Sequence, residues 1–218
     1  NHDNPRMISK VNPDPHVREQ LGKLLALLLF SMRGTVFLYQ GQELGLINED
    51  FRSMDDIRDV ESLNYYREKV AEGNEDQGWR DILAGSRDHA RTPYPWDDQP
   101  HAGFSPVTPW IESSSSNRSN HLNAQRADDN SVWHFYRKLI DIRRHHKGLV
   151  YGDVKFVKKK KRHYWACYRT YGDKRYFIEA NLSDKPIKRP TGKPEGRLII
   201  STHNRRERGL QPYEASIY

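Results

Sequence analysis

The stretch that most constrains the fold is an amphipathic helix that runs directly into an apolar strand. Asp14 can cap a helix, Pro15 suits a first helical position, and apolar residues then recur every three or four positions from Val17 to Met32. Gly34 is a usual residue for ending a helix. Residues 35–39 (TVFLY) are almost continuously apolar and predict a strand buried on both faces, which is typical of parallel sheets joined by helices. The sequence therefore predicts an α/β region.

Polar residues follow this strand at Gln40–Glu43, the end of a parallel strand at which barrel enzymes build their sites. A second helix is predicted from a capping box formed by Ser53 and Asp56 to about Gly73, and a short third helix over Trp79–Leu83.

The next segment, up to residue 146, is predicted to contain loops and one further helix. Residues 91–109 are rich in proline and aromatic residues and predict an ordered surface loop. The serine-rich residues 113–119 predict a mobile, exposed excursion. A further helix is predicted from Val132 to Arg143, capped by Asp129 or Asn130. His145 and His146 at its end are expected to be surface or capping groups.

From Leu149 the pattern changes to short aromatic and β-branched runs separated by Gly, Lys, Asn and Pro turns. Such runs predict a small antiparallel β domain. We place the boundary near Gly148, which gives an α/β region over residues 1–148 and an all-β domain over residues 149–218.

Charge and cysteine usage narrow the class of protein. The chain of 218 residues has a formal net charge of +7, with basic runs at residues 158–162 and 205–208 between strand-like segments. We interpret these runs as solvated hairpin loops, because the sequence has no RNP motif, zinc-finger spacing or Gly-rich phosphate loop; polyanion binding through residues 158–162 stays an alternative. We expect no nucleic-acid partner.

The single cysteine, Cys167, excludes an internal disulfide and lies within a predicted strand, so its thiol is expected to be inert. Its presence alone fits a reducing compartment, and a cytoplasmic location is expected. No apolar run approaches the ~20 residues that span a bilayer, so no membrane association is expected.

A dense polar cluster opens the chain: Asn1-His2-Asp3, followed by Arg6. Asp3 with His2 and Arg6 could ligate a metal, form an acid/base pair, or bind the hydroxyls of a polyhydroxylated substrate. The sequence has no H-E-x-x-H motif or paired cysteines, so we predict no metal and no cofactor. A carboxylate steadied by His and Arg suits a saccharide site, although an Asp that only satisfies loop hydrogen bonds is equally open from this triplet.

Four blocks of the chain, in order, resemble glycoside hydrolase family 13, the α-amylase family, and most closely its oligo-1,6-glucosidases and α-glucosidases. The blocks are NHDNPR at 1–6, GTVFLYQGQELG at 34–45, SRDHARTP at 86–93 with Trp96, and LQPYEA at 210–215. The resemblance implies the C-terminal part of a (β/α)8 barrel, from the end of strand seven to helix eight, followed by a small antiparallel β-sandwich domain. It covers essentially the whole chain.

The resemblance also implies roles for individual residues in a retaining hydrolase that acts at the non-reducing end of α-glucosidic oligosaccharides of the isomaltose or maltose type. Asp3 corresponds to the family's third carboxylate, which stabilises the transition state, and His2 assists it at the same glucose. Arg87 corresponds to an arginine of the glucose pocket, while Glu61 and Asn4 correspond to acceptor-side positions.

Simpler interpretations stay open for two of these residues, namely a loop-anchoring ion pair for Arg87 and a solvated helix carboxylate for Glu61. Arg91, in the same block as Arg87, is assigned to structure.

The nucleophilic Asp and the acid Glu of the family lie upstream of the position of Asn1. We therefore expect that the N-terminal part of the barrel is missing here and that these residues alone have no hydrolase activity. Tyr94-Pro95 stands where bacterial oligo-1,6-glucosidases commonly have Met-Gln, which leaves the linkage preference open. Two alternatives are a catalytically inactive binding or scaffold subunit and a transglycosylating relative such as a sucrose isomerase.

Overall fold

The computed structural model describes residues 1–157, 162–190, 192, 194–203 and 209–218. They form two compact units, of which the first contains residues 1–18 and 38–134 and the second residues 19–37 and 135–218. The basic residues 158–161 and 205–208 lie outside the described residues. No helix in the described part of the chain is long and apolar enough to cross a membrane.

Helices dominate the described residues up to 151. They are α1 (Met7–Val11), α2 (Arg18–Ser31), α3 (Val60–Ala71), α4 (Glu75–Gly85), α5 (Ser115–Arg118), α6 (Leu122–Ala127), α7 (Val132–His145) and α8 (Lys147–Tyr151). The predicted helices over residues 17–32, 79–83 and 132–143 are thus confirmed, the second of them longer than expected. In the first unit, Phe51, Ile57, Ile82 and Ile111 form a buried apolar core.

The predicted helix from residue 53 to 73 begins later than expected. The capping box of Ser53 and Asp56 is present, but it closes only one 3-10 turn over Met54–Asp56. The buried Asp88 then accepts hydrogen bonds from the backbone N–H groups of Arg58 and Asp59, at 2.7 and 2.8 Å. These bonds hold residues 57–59 extended, and Asp59 caps α3, so the helix starts at Val60.

The predicted strand over residues 35–39 is wrong for this structure. These residues belong to neither sheet, and Phe37 is 81 % exposed. A strand buried on both faces needs hydrogen-bonding neighbours and covering layers, and among the described residues no strand pairs with this segment.

The serine-rich stretch is also not the exposed excursion that its composition predicted. It forms α5, and Asn117 within it is buried. The Asn117 side-chain amide donates to the Ile47 carbonyl at 2.8 Å and to Glu49 Oε1 at 2.9 Å. The buried amide of Asn117 therefore anchors this segment, and the serine-rich composition around it gave no indication of that burial.

The second unit contains the predicted antiparallel β domain. Its strands are β1 (Asp153–Phe156), β2 (Tyr164–Tyr171), β3 (Lys174–Asn181), β4 (Ile187–Lys188), β5 (Ile200–Ser201), β6 (Gly209–Leu210) and β7 (Ala215–Ile217). Five of them form one antiparallel sheet in the order β1-β2-β3-β7-β5, and β4 pairs with β6. The domain boundary near Gly148 stays a prediction, since this unit also includes nearly all of α2 and α7.

Cys167 lies in β2 and is fully buried, and burial raises the pKa of its thiol to about 11. Because the thiolate is the reactive form of cysteine, Cys167 is inert at neutral pH.

A second buried polar group in the same sheet is Glu179, which receives a 2.8 Å hydrogen bond from Arg189 Nε.

Two buried arginines cap the C-terminal end of α2. Arg143 donates to the carbonyls of Phe30, Met32, Gly34 and Leu149, and Arg169 donates to those of Ser31, Leu149 and Gly152. Arg33, two residues beyond the helix, faces Asp153 Oδ1 at 3.5 Å instead. The last carbonyls of a helix lack partners within it, and here two guanidinium groups from distant positions satisfy them.

Candidate functional site

Asp3 lies in a charged cluster within the first unit, 48 % exposed and contacted by three cationic or ionisable groups. Arg91 Nη2 is 3.2 Å and Arg87 Nη1 is 3.9 Å from Asp3 Oδ1. His2 Nε2 is 3.2 Å from Asp3 Oδ2. The structure thus brings together His2, Asp3 and Arg87, three of the five residues predicted for the site.

Asp59 is the buried anchor of this cluster. Arg87 Nε donates to Asp59 Oδ1 at 2.9 Å, and Arg91 Nη1 lies 3.5 Å from the same oxygen. Ser62 donates to Asp59 Oδ2 through its hydroxyl at 2.8 Å and its backbone N–H at 3.2 Å. Burial alone would raise the pKa of Asp59, but the hydrogen bonds from Arg87 and Ser62 hold it below its ordinary value. Asp59 is therefore an anion at neutral pH.

Arg91 contacts both residues of the predicted catalytic pair. Its Nε donates to the His2 carbonyl at 3.0 Å, and its Nη2 donates to Asp3 Oδ1. Sequence reasoning assigned Arg91 to structure and did not single out Asp59 at all. The available signal was the position of Asp59 directly before α3, where an Asp caps a helix.

Glu61 and Asn4 differ in how they relate to the cluster. Glu61 lies 3.2 Å from Arg87 Nη2 although it is 77 % exposed. The Asn4 side-chain amide donates instead to Asn1 Oδ1 at 2.9 Å. The structure therefore places Glu61 beside Arg87 and directs Asn4 toward the start of the chain.

Arg6 does not join the cluster as the sequence suggested. Its Nε donates to the His89 carbonyl at 3.1 Å and its Nη1 to the Gln40 carbonyl at 2.6 Å. Arg6 is buried, and this burial lowers the pKa of its guanidinium below the ordinary value. Arg6 thus holds the loop after residue 39 and leaves Arg87 and Arg91 as the cations that face Asp3.

A cleft of about 540 Å³ opens beside Asp3, Asp59 and Arg87. Its lining is mostly polar and is formed by Asp3, Asp59, Glu61, Ser62, Asn64, Tyr65, Glu68, Asp81, Ile82, Gly85, Ser86 and Arg87. Carboxylates accept hydrogen bonds and the guanidinium donates them, so both kinds of partner are available in one cleft. A ligand rich in hydroxyl groups, each of which donates and accepts, fits this combination.

The described residues contain no group of three His, Cys, Asp or Glu side chains placed to hold a metal ion.

Comparison with known proteins gives a consistent picture. Residues 1–152 match the family model described as alpha amylase, catalytic domain. The chain is 36 % identical over 230 residues to an oligo-1,6-glucosidase of Parageobacillus thermoglucosidasius, covering 100 % of this chain and 41 % of that enzyme. It is 34 % identical over 213 residues to a trehalose-6-phosphate hydrolase of Escherichia coli, covering 97 % of this chain and 39 % of the relative.

Among solved structures, an isomaltulose synthase of Erwinia rhapontici in complex with D-glucose superposes with a TM-score of 0.90 at 32 % identity. That match covers 100 % of this chain and 41 % of the synthase. The chain thus spans about two fifths of the length of the relatives it matches, and it corresponds to their C-terminal portion, which comprises part of a barrel and a β domain.

Proposed function

This chain belongs to the α-amylase family, glycoside hydrolase family 13, and on that premise we propose that it carries the sugar-holding part of a retaining α-glucosidase. The proposed enzyme removes glucose from the non-reducing end of short α-glucosidic oligosaccharides, in the manner of an oligo-1,6-glucosidase. The observation that supports this most is the half-exposed Asp3, held by Arg91, Arg87 and His2 at the edge of a polar cleft.

In the proposed mechanism, Asp3 is neither nucleophile nor acid. A retaining glycosidase uses two carboxyl groups about 5 Å apart, one attacking the anomeric carbon and one protonating the leaving oxygen. Asp3 would be a third carboxylate, accepting hydrogen bonds from sugar hydroxyls. Those hydroxyls become more acidic and the ring more positive as an oxocarbenium ion develops, so the bonds strengthen in the transition state and raise the rate.

The arginines hold Asp3 in a fixed position in this proposal. Two guanidinium groups near one oxygen limit the rotation of its carboxylate. Arg87 is shared among Asp3, Asp59 and Glu61, and Asp59 receives its closest contact. Asp59 thereby prevents Arg87 from closing fully onto Asp3, which leaves Asp3 oxygens accessible to a sugar. Glu61 and Asn4 stay proposed as acceptor-side groups.

Asp3→Asn in the full-length protein tests the proposal. We expect kcat to fall about 100-fold or more while KM changes only a few-fold, because the lost interaction is strongest in the transition state. Asp129→Asn is the matched control, since Asp129 is 98 % exposed and lies outside the cleft. Wild-type turnover by Asp3→Asn would show that Asp3 has another role.

A sucrose-isomerising activity is the second candidate. It is favoured by the structural match to isomaltulose synthase. The structure of that synthase in complex with its natural substrate sucrose matches this chain with a TM-score of 0.92 at 32 % identity. Turnover of isomaltose, maltose and sucrose by the full-length protein, with product analysis, separates the candidates. Glucose as the main product supports hydrolysis, whereas a rearranged disaccharide from sucrose supports isomerisation.

A catalytically inactive scaffold would turn over none of the three sugars. A scaffold does not require His2, Asp3 and Arg87 to lie together, so their grouping argues against this alternative. The inactivity of these 218 residues by themselves and the cytoplasmic location stay predictions, the first of them checked by an assay of the isolated chain.

A further inference from the structure

A second cleft of the first unit shares no lining residue with the cleft beside Asp3. It has a volume of about 420 Å³. Its walls come from the chain after residue 48 and from the segment that ends in α5, and its lining includes residues 49–52, 56, 58, 108–115 and 118. Its size suits a ligand of a few sugar rings or a similar small molecule.

Trp110 supplies an unused aromatic face to this cleft. Its side chain is 62 % exposed, and it makes no ring contact or hydrogen bond among the described residues. A large ring left in contact with water costs free energy that a stacked ligand face would recover. Trp110 is therefore a stacking platform without a protein partner.

Two arginines of the same cleft also lack partners. The guanidinium groups of Arg52 and Arg118 are exposed and make no hydrogen bond or ion pair within the described part of the chain. Arg58 is only partly used, with Nη1 donating to the Ile57 and Asp55 carbonyls. Guanidinium groups provide fixed, planar donors. The cleft therefore offers a ligand several N–H donors that bind no acceptor among the described residues, beside an aromatic face.

The cleft has acceptors as well, and this decides the kind of ligand. Four carboxylates, Glu49, Asp50, Asp56 and Glu112, line it together with the three arginines. An anion site would show an excess of cations, whereas here carboxylates outnumber them. A neutral ligand with many hydroxyl groups can use the donors and the acceptors together.

The base of the cleft is rigid. Glu49 is buried, and its Oε2 accepts a 2.6 Å hydrogen bond from the Ser114 backbone N–H while Oε1 accepts one from Asn117. The Glu49 backbone N–H in turn donates to His89 Nδ1 at 2.9 Å. The two walls are thus joined before any ligand arrives, which lowers the entropic cost of binding.

We propose that this second cleft is a binding site for a neutral saccharide, with one sugar ring stacked on Trp110 and its hydroxyls bonded to Arg118 and Arg52. The site does not depend on the function proposed for Asp3. Because the cleft is open and the contacts are few, the dissociation constant is expected to be on the order of 1 mM.

The test is ¹⁹F NMR of the full chain labelled with 5-fluorotryptophan. The 218 residues have 5 tryptophans, and Trp110→Phe identifies the resonance of Trp110. Titration with isomaltotriose or maltotriose is expected to shift that resonance saturably. Arg118→Met should weaken the apparent affinity about ten-fold, as expected for losing a hydrogen bond from a charged group.

Two controls separate this site from other effects. Arg126→Met removes an exposed arginine of α6 that lies outside the cleft, and it should leave the titration unchanged. Asp3→Asn should also leave it unchanged, so failure of the proposed catalytic role and failure of this site give different results. No saturable shift of Trp110 up to about 50 mM sugar would overturn the proposal. A shift that inorganic phosphate produces at lower concentration than the sugars would overturn the assignment to a neutral ligand.

Discussion

His89 makes the stability of the first unit depend on pH. The His89 side chain is fully buried, its Nδ1 accepts the backbone N–H of Glu49, and its Nε2 donates to the Leu83 carbonyl at 2.9 Å. Its ring also stacks on Phe51, with centroids 4.9 Å apart. Burial is the largest cause that lowers the pKa of His89, from 6.5 to about 4. The folded protein therefore holds a neutral imidazole throughout the physiological range.

The sign and size of the effect follow from this pKa. As the pH falls below 6.5, the unfolded chain takes up a proton at His89 that the folded chain refuses until about pH 4. Stability is thus full above the unfolded pKa and declines between about pH 6.5 and 4. At ~1.36 kcal/mol per pKa unit, the total loss is ~3 kcal/mol, of which ~2 kcal/mol occurs between pH 7 and pH 5.

Urea unfolding at pH 7 and pH 5 measures this loss, because a change in midpoint at constant slope reports a change in stability. His89→Gln keeps a polar side chain that cannot titrate, so the variant should be less stable than wild type at pH 7 but lose ~2 kcal/mol less on acidification. His16→Gln, at an exposed histidine, should keep the wild-type dependence. Equal losses in wild type and His89→Gln would refute the reasoning.

Three further predictions concern other residues. Arg169→Met should destabilise the protein by about 3 kcal/mol or more in urea unfolding, because the carbonyls of Ser31 and Gly152 lose their guanidinium donor, and Arg169→Lys should recover only part of that loss. Asp59→Asn in the full-length protein should lower kcat at least about ten-fold by releasing Arg87 onto Asp3, whereas Asp129→Asn, at an exposed carboxylate outside the cleft, should stay within about three-fold. Cys167 should not react with a thiol reagent in the native protein at pH 8, and it should react at once in denaturant, since its thiol has a pKa of about 11 when buried.

The sequence predicted helices well where apolar spacing carried the information. The helices over residues 17–32 and 132–143 follow from that spacing. The second buries one face, with Val132, Phe135, Tyr136 and Leu139 inside, whereas the first buries residues 21–24 in succession and is covered on more than one side. The prediction of a strand over residues 35–39 was wrong. Its apolar pattern is typical of a strand in a sheet covered on both faces, and the described residues provide no such sheet around this segment. A strand pattern alone does not show where its partners are.

The site shows the same limit. Asp3, His2 and Arg87 were predicted from blocks of sequence that resemble the family, and each block is local in sequence. Their grouping with Asp59 and Arg91 depends on contacts between residues 28 and 88 positions apart. No pattern in one sequence states which of 36 lysines and arginines meets which carboxylate. Only the fold selects Arg91 for Asp3 and directs Arg6 elsewhere.

The arginine cap on α2 has a consequence for how the protein is made. Arg169 reaches the Ser31 carbonyl across 138 residues of sequence. At translation rates of ~5–20 residues per second, the codon for Arg169 is read roughly 7 to 30 seconds after that for Ser31. Arg143 is made earlier and can already bind the Phe30 carbonyl, but the Ser31 carbonyl must rely on water during this interval. The cap on α2 is therefore completed only once β2 has been synthesised.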